Sequence, residues 1–204
     1  DEAIIPVPSF VCYGPIVELA HGKPVFIETK EEDNFKLRPE ALRAAITPKT
    51  KLLILPYPNN PTGAEMTKDE LEEIAQILEG TNIMVLSDEI YGELTYGRRH
   101  TAFATVGNMW ERTITVSGFS KAYAMTGWRL GYLIGPENVN EALRDTSVVV
   151  ASYDIGDGMR GLVGVVGPTR MDYATVTARL SYFADSLTRM FGKSELPPKE
   201  EDKE

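Results

Sequence analysis

Short apolar runs alternate with stretches of helical periodicity along the first two thirds of the chain. The runs have the length and composition of buried strands, and they lie at 24–29, 51–55, 83–86, 113–116 and 130–134. Residues 39–46 and the segment after Thr67 instead carry apolar side chains at helical spacing. Strands that alternate with helices predict an α/β domain with a mostly parallel sheet between layers of helices.

The residues around Thr67 predict where one of these helices begins. Residues 67–70 read Thr-Lys-Asp-Glu, the pattern of a capping box, in which the first and last side chains bond each other's backbone N–H groups. After it, Leu71, Ile74 and Leu78 form an apolar stripe, and Gly80 is a stop signal. The pattern predicts an amphipathic helix that begins after Thr67 and ends before Gly80.

The character of the chain changes after Pro136. We predict a short helix over 137–144, strands over 147–151 and 162–166 separated by a turn-rich loop at 154–158, and a helix over 176–190. The remaining residues are mostly charged or proline, which predicts a disordered acidic tail. The expected domain boundaries are therefore 1–136, 137–192 and 193–204.

Composition narrows the function that this architecture can serve. The 204 residues are 43% hydrophobic and carry a formal net charge of -9. An acidic chain without a basic patch argues against nucleic-acid binding, and no apolar run is long enough for a membrane span. The single cysteine, Cys12, favours a reducing, cytoplasmic setting. His21 and His100 lack metal-ligand spacing, so we expect no metal site and place both in exposed or loop positions.

Polar residues follow several predicted strands, at the edge where open α/β sheets bind ligands. They are Asn60 in the proline-rich loop, Asp88 and Tyr91 after the strand 83–86, and Lys121 and Arg129 after the strand 113–116. Taken singly, each has an ordinary structural interpretation. Asn60 suits a turn, Asp88 suits a helix N-cap and Lys121 suits the solvent-exposed surface.

Taken together, these residues predict a cofactor. In the segment 117–131, small residues let the backbone approach a ligand, and hydroxyl groups with Arg129 suit a phosphate dianion. Lys121 supplies an amine that can attack a carbonyl. A buried Asp88 needs a cationic partner such as a protonated pyridine. A phosphate, an amine-reactive carbonyl and a pyridinium together describe pyridoxal phosphate (PLP).

Three stretches carry a resemblance to a known family: 58–63 (Pro-Asn-Asn-Pro-Thr-Gly), 87–91 (Ser-Asp-Glu-Ile-Tyr) and 117–131. Residues 1 to about 136 resemble the fold-type I, class I and II aminotransferases, close to the aspartate and aromatic aminotransferases. The resemblance implies a three-layer α/β sandwich with a mostly parallel sheet, the incomplete PLP-binding large domain, followed by a small α+β tail. It also implies transfer of an amino group from an α-amino acid to a 2-oxo acid.

The resemblance assigns a role to each motif residue. It implies that Lys121 forms a Schiff base with PLP and later moves the substrate proton. It also implies that Asp88 pairs with the pyridine nitrogen of PLP, while Asn60 and Tyr91 form hydrogen bonds with its 3′-oxygen.

The same resemblance implies which residues bind the phosphate of the cofactor. Arg129 binds the phosphate with help from Ser120 and Ser117. Gly118 stands where several relatives have a phosphate-binding hydroxyl, and Phe10 is implied to lie near the cofactor or the substrate.

Family members are longer than this chain. They carry a glycine-rich phosphate turn, an N-terminal lid over the substrate and a C-terminal domain whose arginine binds the substrate carboxylate, and these parts are not found in the 204 residues. We therefore expect the chain alone to bind PLP weakly or not at all, and to catalyse little transamination. The resemblance also implies that full-length members are homodimers.

The last third resembles a different family. Residues from about 138 to 192 resemble the C-terminal end of the heat-inducible transcription repressors, on the stretches 147–153 and 163–173. This implies an element for packing or dimerisation. Two alternatives therefore stay open: a non-catalytic regulatory or interaction module, and another fold-type I PLP enzyme such as a β-lyase or a synthase.

Overall fold

The computed structural model describes residues 1–128, 131–136, 146–156, 159–168 and 172–191. The chain divides into two compact units, Asp1–Asn140 and Glu141–Glu204. Among the residues so described, no helix combines the length and the apolar character needed to span a membrane.

The first unit is built on a six-stranded sheet. Its strands are β1 (Glu2–Val7), β2 (Lys23–Glu28), β3 (Thr50–Leu55), β4 (Met84–Asp88), β5 (Thr113–Gly118) and β6 (Gly131–Ile134). They lie in the order β2-β1-β3-β4-β5-β6, and all neighbours are parallel except β5 and β6. The mostly parallel sheet is therefore confirmed. The sequence analysis did not find β1.

Three helices and several short 3-10 turns connect the strands. The helices are α1 (Tyr13–Leu19), α2 (Pro39–Ala45) and α3 (Lys68–Leu78), and the turns are Glu31–Asp33, Phe103–Thr105, Met109–Arg112 and Thr126–Trp128. The capping box of α3 is confirmed. The hydroxyl of Thr67 accepts from the Glu70 N–H at 3.2 Å, and Oε2 of Glu70 accepts from the Thr67 N–H at 2.7 Å.

The two faces of the sheet pack against different helices. Because side chains alternate along a strand, Leu53 and Val85 join Ile74 of α3 in the larger core, which α2 and α3 cover. On the other face, Ile54 and Tyr13 belong to a smaller core under α1. This second face ends at the candidate site.

The described residues of the second unit form a hairpin and a helix. Strands β7 (Thr146–Gly156) and β8 (Met159–Pro168) pair antiparallel, and α4 spans Tyr173–Phe191. Two predictions for this unit are wrong: the first concerns the loop at 154–158, and the second concerns the buried face of α4. Strand β7 continues through Gly156 into the predicted loop, because Asp154 still pairs with Arg160 across the hairpin.

The sequence predicts an apolar stripe on α4, formed by Val176, Leu180, Phe183, Leu187 and Met190, and only part of it is packed. Leu180 and Ala184 are buried, whereas Phe183 and Met190 are exposed. A two-stranded hairpin is narrow, so it covers only part of an amphipathic helix. The predicted helix at 137–144 and the predicted tail at 193–204 lie outside the described residues.

Candidate active site

A cavity of about 360 Å³, called here the site cavity, opens at the carboxyl ends of β3, β4 and β5. Its lining includes every predicted site residue within the described part of the chain: Phe10, Asn60, Asp88, Tyr91, Ser117, Ser120 and Lys121. Arg129 lies outside the described residues. Because parallel strands end at one edge of a sheet, segments that are distant in sequence meet there.

Two neighbouring asparagines in the loop after β3 have different roles. Asn59 is buried, and its Oδ1 accepts from the hydroxyl and the N–H of Thr62, at 2.9 and 3.3 Å. It therefore holds the turn. Asn60 lines the site cavity. The turn interpretation thus fits Asn59, and Asn60 is left facing the cavity.

Asp88 ends β4 with both carboxylate oxygens engaged. Oδ2 accepts from the hydroxyl of Tyr13 at 2.6 Å, and Oδ1 accepts from the Ile90 N–H at 3.1 Å. Turns rather than a helix follow it, so the N-cap interpretation is wrong. The bond to Ile90 instead closes a local turn, a common use of aspartate.

Tyr13 is a site residue that the sequence analysis missed. It begins α1 and lines the cavity beside Phe10. Burial, together with the bonded Asp88 carboxylate, raises the pKa of Tyr13 well above its ordinary value. The phenol therefore stays protonated and donates to Asp88. The signal that could have found it was the apolar run of β1, which precedes this segment at the same edge of the sheet.

Lys121 reaches the cavity from the turn that follows β5. Its side chain is exposed, and its Nζ lies 5.5 Å from the centre of the Tyr91 ring. A cation at that distance is attracted to the face of an aromatic ring. The site cavity thus combines an amine, a carboxylate, two phenols and several hydroxyl groups.

The two histidines differ from each other. His21 is exposed, as expected. His100 does lie in a loop, but its side chain is only 17% exposed, and its Nε2 is 2.9 Å from Oε2 of Glu89. The loop position is therefore confirmed for His100, although its ring is shielded from solvent by its contact with the buried carboxylate of Glu89.

These side chains suit a ligand that carries a carbonyl group, a cationic ring nitrogen and a phosphate. An amine can attack a carbonyl, a carboxylate held in place by Tyr13 can pair with a cationic ring nitrogen, and hydroxyls can donate to a phosphate. The volume of the cavity lies within the range of small-molecule sites.

Comparison with known proteins agrees with this chemistry. Residues 1–159 match the family model described as aminotransferase class I and II. Over 144 residues, the chain is 51% identical to aromatic-amino-acid aminotransferase 2 of Thermococcus litoralis, covering 70% of this chain and 37% of that protein. Over 199 residues, it is 43% identical to an aspartate aminotransferase of Musicola paradisiaca, covering 94% and 49%.

A solved structure gives the same result. The aromatic aminotransferase of Pyrococcus horikoshii matches with a TM-score of 0.67 and 49% identity, over 69% of this chain and 38% of that one. This chain thus spans about half or less of the length of these relatives. The family match passes the boundary expected near residue 136, and the repressor resemblance of residues 138–192 stays a prediction. The chain belongs to the class I and II aminotransferase family.

Proposed function

We propose that this chain carries the cofactor-binding part of a PLP-dependent aminotransferase, which transfers an amino group from an α-amino acid to a 2-oxo acid. The observation that carries the proposal is the presence of Lys121, Asp88, Tyr91 and Asn60 in the lining of one cavity. The family depends on PLP.

The side chains present fit PLP by their chemistry. Asp88 would hold the ring nitrogen, and Asn60 and Tyr91 would hold the 3′-oxygen. Ser117 and Ser120, together with Arg129, would hold the phosphate, and Phe10 would lie near the cofactor or the substrate. When bound, PLP would supply a ring that accepts the electron pair left on Cα when the substrate loses its proton.

Three residues of this chain would do the remaining work. Nζ of Lys121 would hold the cofactor through its carbonyl carbon and, as a free amine, would carry the proton that leaves the substrate Cα. The ring of Tyr91, beneath that amine, limits where Nζ can lie. The hydroxyl of Tyr13 fixes the Asp88 carboxylate, so this charge needs no reorientation when it meets the ring nitrogen.

The proposed substrates and partners follow from the family. We propose an α-amino acid and a 2-oxo acid as substrates, a homodimer as the working assembly and the cytoplasm as its location. The names of aspartate and aromatic aminotransferases among the relatives support the substrate class. The single cysteine supports a reducing compartment.

Absorbance titration with PLP tests the proposal. Because the chain spans only part of its relatives, we expect a weak but saturable shift of the cofactor's absorption band at high PLP concentration, and Lys121→Ala should abolish it. Lys51→Ala, at an exposed lysine of β3, is the matched control and should behave like the wild type. Equal shifts in the wild type and Lys121→Ala would contradict the proposal.

A further inference from the structure

Glu89 follows Asp88 directly but lies in a different environment. Asp88 lines the site cavity, whereas Glu89 lines a second cavity of about 280 Å³ together with His100. This second cavity is called here the rear cavity. The side chain of Glu89 is only 7% exposed, so its carboxylate needs partners within the protein.

The carboxylate of Glu89 has three such partners, which belong to two segments of the chain. Oε1 accepts from the hydroxyl of Ser87 at 2.8 Å and from the Phe103 N–H at 3.1 Å. Oε2 lies 2.9 Å from Nε2 of His100. One side chain therefore ties the end of β4 to the far end of the loop 90–102, which we call the tyrosine loop because it carries Tyr91.

The backbone of Glu89 is fixed as well. Its N–H donates to the Val116 carbonyl of β5 at 2.9 Å, and its carbonyl accepts from the Gly92 N–H at 2.9 Å. The hydroxyl of Ser117 approaches the same carbonyl at 3.4 Å. Asp88 and Tyr91, which flank this residue, therefore have little freedom to move while Glu89 keeps its bonds.

Close packing around His100 supports the same arrangement. A Cβ added at Gly92 would lie 3.0 Å from Cδ2 of His100 and 3.1 Å from the Glu89 carbonyl oxygen. The glycine thus lets the start of the tyrosine loop approach the His100 ring at its other end.

Stability alone does not explain a carboxylate at this position. Burying a charge costs desolvation energy, and well-packed apolar side chains are often at least as stabilising as a buried ion pair. A carboxylate differs from an apolar side chain in making directed bonds, and here those bonds join residues 2, 11 and 14 positions away.

We infer that Glu89 and His100 are positioning residues. Their contacts hold the two ends of the tyrosine loop together and thereby keep Tyr91 and Asp88 in place in the site cavity. The inference rests on the proposed function, because it concerns PLP. Neither residue touches the site cavity, so both act through their neighbours.

Two measurements on the full chain test this inference. The first is trypsin cleavage without cofactor, since the tyrosine loop carries Arg98 and Arg99. Glu89→Ala should speed cleavage at these arginines about tenfold, because its loss frees both ends of the loop. Glu93→Ala, at an exposed glutamate of the same loop, should leave the rate unchanged.

The second measurement is PLP titration followed by absorbance against pH. Glu89→Ala should weaken PLP affinity about tenfold and move the midpoint of the pH-dependent absorbance change in the same direction as Tyr91→Phe. Glu89→Gln keeps an oxygen for Phe103 and Ser87, and should restore cleavage resistance and PLP affinity close to the wild type. A role in folding alone would not reproduce the Tyr91→Phe shift.

The outcomes separate this inference from the proposed function. Wild-type affinity for PLP and an unchanged pH midpoint in Glu89→Ala would overturn the inference and leave the proposed function standing. Absence of any PLP uptake by the wild type would overturn the proposed function and the cofactor part of the inference together, while the cleavage rates would still show whether Glu89 closes the loop.

Discussion

On the α2 and α3 side of the sheet, Leu53, Ile74 and Val85 are fully buried, and they belong to a core that spans β1, β3 and β4. On the α1 side the core is smaller, and Ile16 and Leu19 of the covering helix are 56% and 80% exposed. The site cavity lies at the end of this thinly covered face, where Tyr13 meets Asp88.

The two faces of the sheet therefore serve different purposes. The well-covered face offers apolar area that favours folding, and the thin face leaves room for a cavity lined by polar side chains. The end of β4 lies between the two, with Asp88 facing the site cavity and Glu89 facing the rear cavity.

Truncation of the larger core should have the largest effect on stability. Ile74→Ala removes a side chain with no solvent exposure, so we expect the free energy of unfolding to fall by about 2–5 kcal/mol. Urea denaturation measures this change. Ile16→Ala, on the exposed surface of α1, is the matched control and should cost no more than about 0.5 kcal/mol. Equal losses of stability in the two variants would show that the two faces do not differ in how much they stabilise the fold.

Removal of the Asp88 charge should have the next largest effect, on the cofactor rather than on folding. Asp88→Asn keeps an oxygen for the Tyr13 hydroxyl but cannot pair as an anion with a cationic ring nitrogen, so PLP affinity should fall about tenfold. Absorbance titration measures this change. Glu93→Gln removes the same charge from an exposed position and should leave the affinity unchanged. Equal affinities for Asp88→Asn and the wild type would remove Asp88 from the site.

Loss of the α3 cap should have a smaller effect on the free energy of unfolding, confined to the α2 and α3 side of the sheet. Thr67→Ala removes the acceptor of the Glu70 N–H, so we expect a loss of about 1 kcal/mol in urea denaturation. Thr67→Ser keeps the hydroxyl and should restore most of that loss. A change in PLP affinity in either variant would show that the two regions are coupled.

The smallest expected effect is a dependence of stability on pH. Burial raises the pKa of Glu70, but the bonds from Lys36 and Thr67 outweigh it and lower the pKa below 4.5. A lowered pKa in the folded state stabilises the protein above the unfolded value, and this contribution is lost as the pH falls through the folded value. Glu70→Gln should therefore be slightly less stable than the wild type near neutral pH, by less than about 1 kcal/mol.

Thermal unfolding at several pH values measures this difference. The wild type and Glu70→Gln should converge as the pH falls through the lowered folded pKa of Glu70. A constant difference across the whole range would mean that the ion pair between Lys36 and Glu70, at 2.7 Å, contributes no charge-dependent stability.

Local patterns predicted much of the fold and of the site. The capping box at Thr67 and the apolar runs of β3, β4 and β5 depend on neighbours in sequence, so the sequence alone indicates them. The order of strands in an α/β sheet then places Asp88 and Lys121 at one edge.

Features formed by distant residues were missed. Strand β1 begins with an acid and contains Pro6, and its structure comes from pairing with β2 and β3 on either side. Tyr13 and Asp88 are 75 residues apart, and no local pattern connects them. The exposed faces of α4 likewise depend on the narrow hairpin beneath it.

Borohydride reduction followed by peptide mass mapping tests whether the cavity around Lys121 binds PLP. Reduction makes the bond between the cofactor and a lysine permanent, so the modified residue can be identified. We expect the label to lie on Lys121 and its yield to be lower in Asp88→Asn. Labelling spread over exposed lysines such as Lys51, and unchanged in Lys121→Ala, would contradict this expectation.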